Sequence, residues 1–497
     1  MFLFIHMIIT QNLINQKMKN RFTSLLLLLV VAISAQAQLV SYTLQQSFTK
    51  SQLDSFLATT GFALPVTPQY DIDVYKVIYK TPYKNIDSLV NVSGIVVIPQ
   101  NTPCPSALGC YAHGTFSRRV EVPSLQGAER PIGFFFAGIG GVVTAMPDEL
   151  GLGDSDTSVI IHPYVNYFHS GYAAVNIMRA ARELCTTLSK PLSGEVVLTG
   201  YSQGGYTTMA INKMIQENFS SEFNIKASSP MSGPYDLKKT MVDVMLSNDT
   251  FSSPSYLPYL LLGHHSVSPL LQQRYPTPSH IFKSPYDTLI PPLFYSKIRS
   301  TGYIDQFCNP VPRRMILDSV ITAFENDTLH PFRVVLAEND LMGWTPQNPV
   351  FIHFCTLDEQ VTYLNAVRAD TAWRRNGAPD IQIQNHGPRT HGGCVQPALT
   401  STVVYLLSKI SVCNSILESE PFLFSLYPNP ANDILTLQSE IENAQISLFD
   451  INGKIVFSKK MTANSEVLDV KKLERGLYII ELKNDVGQSA KKKFVRF

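Results

Sequence analysis

The sequence predicts an α/β fold: a mostly parallel sheet with helices on both faces, followed by a small all-β domain. Two observations predict it. From about Gln38 to Cys413, short apolar strand-like runs alternate with longer segments of helical periodicity. After Cys413 the helical pattern stops, and the chain divides into short alternating strands bounded by turn residues. A third observation narrows the class. A Gly-x-Ser-x-Gly pentapeptide, Gly200 to Gly204, lies between a strand-like run and a helical segment.

The elements can be justified in order. Lys19 and Arg21 precede the apolar run Leu25 to Ile33, and Ala35-Gln36-Ala37 follows. A basic start, a short apolar stretch and an A-x-A site make residues 1–37 a secretory signal peptide, cut after Ala37. Met18 would be a tidier start for it. The run is short of the ~20 apolar residues that a membrane-spanning helix needs. Next, Asp73 to Thr81 and Ser93 to Gln100 read as an antiparallel strand pair. Ala107 to His113, Gly141 to Met146, Glu195 to Thr199 and Ile225 to Ser228 read as short buried strands. Tyr172 to Leu188 and Tyr206 to Glu217 carry helical periodicity.

The alternation stops between about residues 237 and 330. This stretch is rich in Pro, Tyr, Leu and Ser, with short helices such as Tyr256 to Leu262, where Pro258 is tolerable only in a first turn. An insertion of this length is expected to cap a site. Strand signals return at Val350 to Phe354 and Ile381 to Gln384, and a last helix is expected over Pro397 to Lys409. The expected boundaries are 38–415 for the α/β domain, 416–425 for a linker and 426–497 for a small β-sandwich. Within the last, Ile451-Asn452-Gly453 signals a hairpin.

Composition excludes several function classes. The chain has 497 residues, 45% hydrophobic and 16% charged, and its 40 basic and 39 acidic residues leave a net charge of +1. That balance lacks the basic footprint of a nucleic-acid partner. Lys491-Lys492-Lys493 reads as the flank of a solvated strand. The seven cysteines fit no zinc or redox motif, and their odd count leaves at least one thiol unpaired. Cys355, in an apolar run, is expected to be a buried thiol. No H-E-x-x-H or comparable spacing appears, so neither a catalytic metal nor a cofactor is expected.

The chemistry centres on Ser202. A sharp turn from strand to helix would push its hydroxyl out of the sheet edge, and small residues two positions either side let that turn close. A serine hydroxyl needs a base at neutral pH. In this arrangement the partners follow in the order Ser, acid, His. Asp358, on the loop after Val350 to Phe354, is the preferred acid; Asp340 is its rival and Glu359 the neighbouring substitute. His391, just before the last helix, is the preferred base, with His386 as its rival. An oxyanion needs two backbone N–H donors. Gln203 would give one, and Gly114 or Thr115, in the His113-Gly114-Thr115 loop, the other.

These residues carry two family resemblances. Residues 73 to 409 resemble the secretory lipase and esterase branch of the α/β-hydrolases, through His113-Gly114, the PDELGLGDS run at 147–155 with His162-Pro163-Tyr164, GYSQGG at 200–205, and the late Asp and His. That family usually has Tyr at the position of Glu149, and His-Gly where this chain has His353 followed by Phe354-Cys355. The resemblance implies hydrolysis of a small-molecule or lipid ester through an acyl-enzyme, with a helical cap shaping the acyl pocket. Residues 426–497 resemble the type A sorting domain of type IX secretion, through LYPNPANDILTL, ISLFDINGKIV, the LERGLYIIELK run and the basic end KKKFVRF. This implies contact with that secretion machinery and export, secreted or cell-surface, through the periplasm of a Gram-negative bacterium. A secreted serine peptidase of the same fold, and a non-catalytic surface-displayed binding protein, are the competing readings.

Overall fold

The computed structural model describes residues 38–60, 66–125, 127–411, 424–451, 454–485 and 489–497. The expected signal peptide, Cys413, most of the expected linker and the Asn452-Gly453 pair lie outside these residues.

Nine strands form one sheet in the order β1-β2-β3-β5-β4-β6-β7-β8-β9. They are β1 (Leu39–Phe48), β2 (Ile72–Tyr83), β3 (Asn85–Pro99), β4 (Ser106–Ala112), β5 (Val143–Pro147), β6 (Leu192–Tyr201), β7 (Asn224–Met231), β8 (Val350–Phe354) and β9 (Ile381–Asn385). Pairing is antiparallel from β1 through β3 to β5, and parallel from β5 onward. β4 is buried along its whole length, as expected for a strand covered on both faces. β1 carries only a short apolar alternation, Val40, Tyr42 and Leu44, and all three are exposed on this edge strand.

Helices cover both faces. On one side, Arg130–Gly140 and His391–Ser408 bury Phe134, Phe136, Leu399 and Leu406 against Val97, Tyr111 and Val197 of the sheet. On the other, Tyr167–Thr187 and Gln203–Asn218 bury Val175, Met178, Ile211 and Met214 against Val96, Leu108 and Leu198. The last helix starts at His391 and not near Pro397, which it contains. Thr390 caps it by accepting from Gly393 N–H.

The segment between β7 and β8 is helical, with helices from Thr240–Met245 to Pro331–Asn339. It therefore runs past the expected limit at residue 330. Pro331 sits at the first helical position, where its fixed φ favours a start. Phe332, Val335, Leu336 and Asn339 share one buried face, so this apolar run has helical period. Pro258 lies in the first turn of Tyr256–Val267.

The C-terminal part forms two antiparallel sheets of its own, β10-β11-β14 and β13-β12-β15-β16. The strands are β10 (Phe424–Tyr427), β11 (Ile434–Ser439), β12 (Ala444–Phe449), β13 (Ile455–Met461), β14 (Ser465–Asp469), β15 (Gly476–Lys483) and β16 (Ser489–Arg496). Their core comprises Leu435, Leu437, Ile446, Leu448, Ile480, Leu482 and Phe494, all contributed by this part. Among the described residues, no helix is long and apolar enough to cross a membrane.

Because the large domain's hydrophobic clusters include no residue from 424–497, a chain ending at Glu418 should fold on its own. Its melting transition should remain cooperative and its near-UV circular dichroism native-like. Loss of either would show that the tail is part of the large domain's core.

Candidate active site

Ser202 lies between the end of β6 and the first turn of the helix Gln203–Asn218, with φ 60° and ψ −121°. A non-glycine residue there carries strain of order 1–3 kcal/mol, and it holds only because the surroundings over-determine it. The surroundings are visible. A Cβ on Gly200 would meet the carbonyl oxygens of Gly204 and Ala112, and one on Gly204 would run into the Ala112 carbonyl. Ser202 N–H donates to Met231 O of β7 at 2.9 Å. The helix N-terminus behind the turn favours negative charge at this point.

Asp358 follows β8, and His391 opens the last helix. The structure brings them together: His391 Nδ1 lies 2.9 Å from Asp358 Oδ1 and 2.8 Å from Oδ2. Asp358 Oδ1 also accepts from Gln360 N–H at 3.1 Å and Val361 N–H at 2.8 Å, so the carboxylate is fixed by its own loop. Glu359 has a different task from the one its neighbour performs. Its Oε2 accepts the His391 backbone N–H at 2.9 Å and so caps the helix that carries the imidazole. A disulfide, Cys355–Cys394, ties the end of β8 to the same helical turn. Cys355 is thus buried but is not a thiol. Cys104 is also disulfide-bonded, while Cys110, Cys185 and Cys308 are free.

Tyr201, the variable residue before the serine, reaches across to this assembly. Its hydroxyl donates to the His391 carbonyl at 2.5 Å, and the two rings are 5.0 Å apart. The turn that carries Ser202 and the helix that opens with His391 are therefore joined directly. Ser202 and His391 are only 4% and 7% exposed. Ser202 Oγ has no hydrogen-bond partner among the described residues. Catalytic hydrogen bonds often tighten only when substrate is bound.

The rival residues stand elsewhere. Asp340 follows a helix, not a strand, and accepts from Lys238 N–H and Met342 N–H. His386 pairs with His353, Nε2 to Nδ1 at 3.0 Å. Burial and Arg389 push the His386 pKa down to about 4, so its ring is neutral at neutral pH.

The two oxyanion candidates in the early loop are now distinguishable. Gly114 N–H is already engaged, 3.1 Å from both oxygens of Glu129. Among the described residues, neither Thr115 N–H nor Gln203 N–H has an acceptor. Thr115 Oγ1 is held by Tyr164 OH at 3.1 Å, and Tyr164 stacks on Tyr259 of the helix Tyr256–Val267 with centroids 4.7 Å apart. The Gln203 side chain is fixed too. His162 Nδ1–H donates to Leu150 O at 2.9 Å, so its Nε2 accepts from Gln203 Nε2–H at 2.7 Å. Burial pushes the His162 pKa down to about 3, which keeps that acceptor available. Glu129 and the disulfide gave no signal in the sequence, and the motifs that hold Tyr201 and Tyr164 do not show their contacts with His391 and Thr115, because each acts through a contact distant in the chain. No group of His, Cys, Asp and Glu among the described residues is arranged to hold a metal ion.

A comparison with curated protein sequences finds no match. Residues 425–496 match the secretion system C-terminal sorting domain family. Among solved structures, the rice cell wall degrading esterase LipA from Xanthomonas oryzae is 26% identical, with a TM-score of 0.65 over 76% of this chain and 98% of that one. A Legionella pneumophila protein provisionally termed a hydrolase is 24% identical, with a TM-score of 0.67 over 76% and 100%. Candida antarctica lipase A shares the fold at 16% identity and a TM-score of 0.52, over 75% and 84%. The large domain has the α/β-hydrolase fold. The tail is a type IX sorting domain, which marks the chain for secretion to the cell surface or the medium.

Within the α/β-hydrolase domain, Glu149 departs from the family's usual Tyr. It follows β5 with φ 67° and is 1% exposed. Burial, reinforced by neighbouring Asp148, pushes its pKa up to about 8. Folded Glu149 thus keeps its proton to about pH 8, while the unfolded chain releases it near 4.5. Between those values folding takes up a proton, so this group's contribution to stability falls as pH rises. Glu149→Gln should therefore raise Tm over the native protein more at pH 8 than at pH 5. Equal shifts in thermal melts at the two pH values would contradict this.

Proposed function

We propose that the protein is a secreted serine esterase that cleaves carboxylic esters through an acyl-enzyme, with Ser202 as nucleophile, His391 as base and Asp358 as the acid that orients it. The observation that carries this reading is the contact of His391 Nδ1 with Asp358, on a helix that the Tyr201 hydroxyl ties to a serine held on a strained strand-to-helix turn. The 26%-identical solved structure is an esterase, which supports ester over amide chemistry.

The mechanism follows from the placement of these groups. With Nδ1–H held by Asp358, the imidazole presents Nε2 as acceptor. It takes the Ser202 proton as Oγ attacks the ester carbonyl, and Asp358 stabilises the imidazolium. Gln203 N–H and Thr115 N–H receive the oxyanion. The proton passes to the departing alcohol, and water then repeats the sequence to release the acid.

The cap supplies a place for an apolar acyl group. An apolar cavity of about 80 Å³ is lined by residues including Leu257, Leu261, Phe324 and Phe332. The cap helix Tyr256–Val267 carries Leu257 and Leu261 to this cavity, and Tyr256 towards the acid loop, where its hydroxyl donates to Gln360 Oε1 at 2.8 Å. Phe294 is not part of the lining; it stacks on Tyr259 with centroids 4.6 Å apart.

Two tests follow. Ser202→Ala and His391→Ala should each lower kcat by ~10⁴ to 10⁶, and Asp358→Asn by ~10⁴. Asp340→Asn and His386→Ala should stay within about tenfold of the native rate, since neither touches the proton path. Kinetics on one soluble ester, with circular dichroism as a folding control, decide this. An active Asp358→Asn beside a dead, folded Asp340→Asn would overturn the assignment. Second, Leu261→Trp should fill the cavity and lower kcat/KM for long acyl esters while sparing acetyl esters. A uniform loss across chain lengths would remove the cavity from substrate binding. Including aminoacyl anilides in the same panel separates an esterase from a peptidase.

A further inference from the structure

Glu129 is a carboxylate that the mechanism above does not use. It precedes the helix Arg130–Gly140 and is far in sequence from Ser202. Its Oε2 accepts the Tyr111 hydroxyl at 2.6 Å, and both oxygens lie 3.1 Å from Gly114 N. Burying a carboxyl is costly unless it is paired or hydrogen-bonded. Burial also pushes its pKa up, against the pull of His113, Tyr111, Gly114 N–H and His391. The reaction centre is close by. A Cβ on Gly114 would stand 2.9 Å from Glu129 Oε1 and 3.8 Å from Ser202 Cβ.

Two peptide planes meet at Gly114. The 113–114 plane is fixed by Glu129 through Gly114 N–H. The 114–115 plane is fixed at its other end, because His113 Nδ1–H donates to Gly114 O at 2.7 Å. In a trans peptide the C=O and N–H point in opposite directions. With the Gly114 carbonyl turned to His113, Thr115 N–H points away from that ring. It has no acceptor among the described residues.

We infer that Glu129 is a positioning residue for the oxyanion hole: it takes the Gly114 N–H, fixes the loop between His113 and Thr115, and so leaves Thr115 N–H as the loop's donor to the tetrahedral intermediate. This rests on the serine-esterase reading of Ser202. A donor set in advance costs no reorganisation when charge develops on the substrate oxygen. The effect should therefore appear in the transition state and not in ground-state binding.

The test uses the full chain with Glu129→Ala, Glu129→Gln, Tyr111→Phe and Ser202→Ala. A soluble ester gives kcat and KM, and a trifluoromethyl ketone, which forms a tetrahedral adduct with a serine hydroxyl, reports on the hole. Glu129→Ala should lower kcat by about tenfold to a hundredfold, below the loss from deleting a donor outright, with KM within about twofold. Ketone affinity should fall by the same factor as kcat/KM. Glu129→Gln keeps an acceptor for Gly114 N–H and should recover most of the rate. Tyr111→Phe frees one end of the carboxyl and should lower kcat by a smaller factor. If Glu129→Ala does not fold, Glu129→Gln and Tyr111→Phe decide alone: native-like kcat and ketone affinity in Tyr111→Phe, or a Glu129→Gln with lower kcat than Tyr111→Phe, overturns the inference. So does a folded Glu129→Ala that changes KM but not kcat. Hydrolysis by Ser202→Ala at the native rate would overturn the esterase reading itself, an outcome separate from any result at Glu129.

Discussion

The backbone at Ser202 is held at positive φ by contacts that leave it no alternative. β6 must end against β4 and β7 while the next helix starts at once, and only glycine at 200 and 204 lets the turn pass the Ala112 carbonyl. The strain is small against the burial that enforces it, since both sheet faces are packed with apolar side chains. Most other features of the site are arranged relative to this fixed point. The Gln203 N–H is set by the start of the helix, and the 113–115 loop by the end of the neighbouring strand. Tyr201, one residue before the turn, reaches the His391 carbonyl.

Asp358 and His391 are held with comparable redundancy by different partners. Asp358 is fixed by backbone N–H groups of its own loop, and His391 by the start of a helix that Thr390 and Glu359 cap. All but the Glu359 contact, which spans 32 residues, are local in the chain. The disulfide adds a covalent tie between the two segments. A side-chain pair at 2.8 Å survives thermal motion only if the backbones beneath it move together, and this arrangement makes them do so.

Much of this was legible in the sequence for a physical reason. Buried parallel strands read as uninterrupted apolar runs, and the pentapeptide encodes a steric requirement in residues that are adjacent in the chain. Chain order points to Asp358 and His391, and the structure sets their side chains in contact. What the sequence hid is long-range or ambiguous. β1 announces itself only by the short alternation Val40, Tyr42 and Leu44, which is exposed on the sheet edge and gives way to Gln45-Gln46-Ser47. The segment around Phe332 to Leu336 is apolar at a spacing that short runs cannot distinguish from a strand. Cys355 looks like an ordinary buried thiol because its partner, Cys394, is 39 residues away. Glu129 meets Gly114 only after the helix Arg130–Gly140 has docked on the sheet.

The bond between Cys355 and Cys394 also sets where the protein can mature. Cytosolic thiol pools keep cysteines reduced, whereas the periplasm is oxidising. A chain still inside the inner membrane lacks the covalent tie between the Asp358 loop and the helix that opens with His391. The sorting domain takes the chain through the periplasm on its way out, so the bond forms in transit. Assembly of this region is thereby coupled to geography: the compartment that the tail requires the chain to cross is the one that closes the frame around Asp358 and His391.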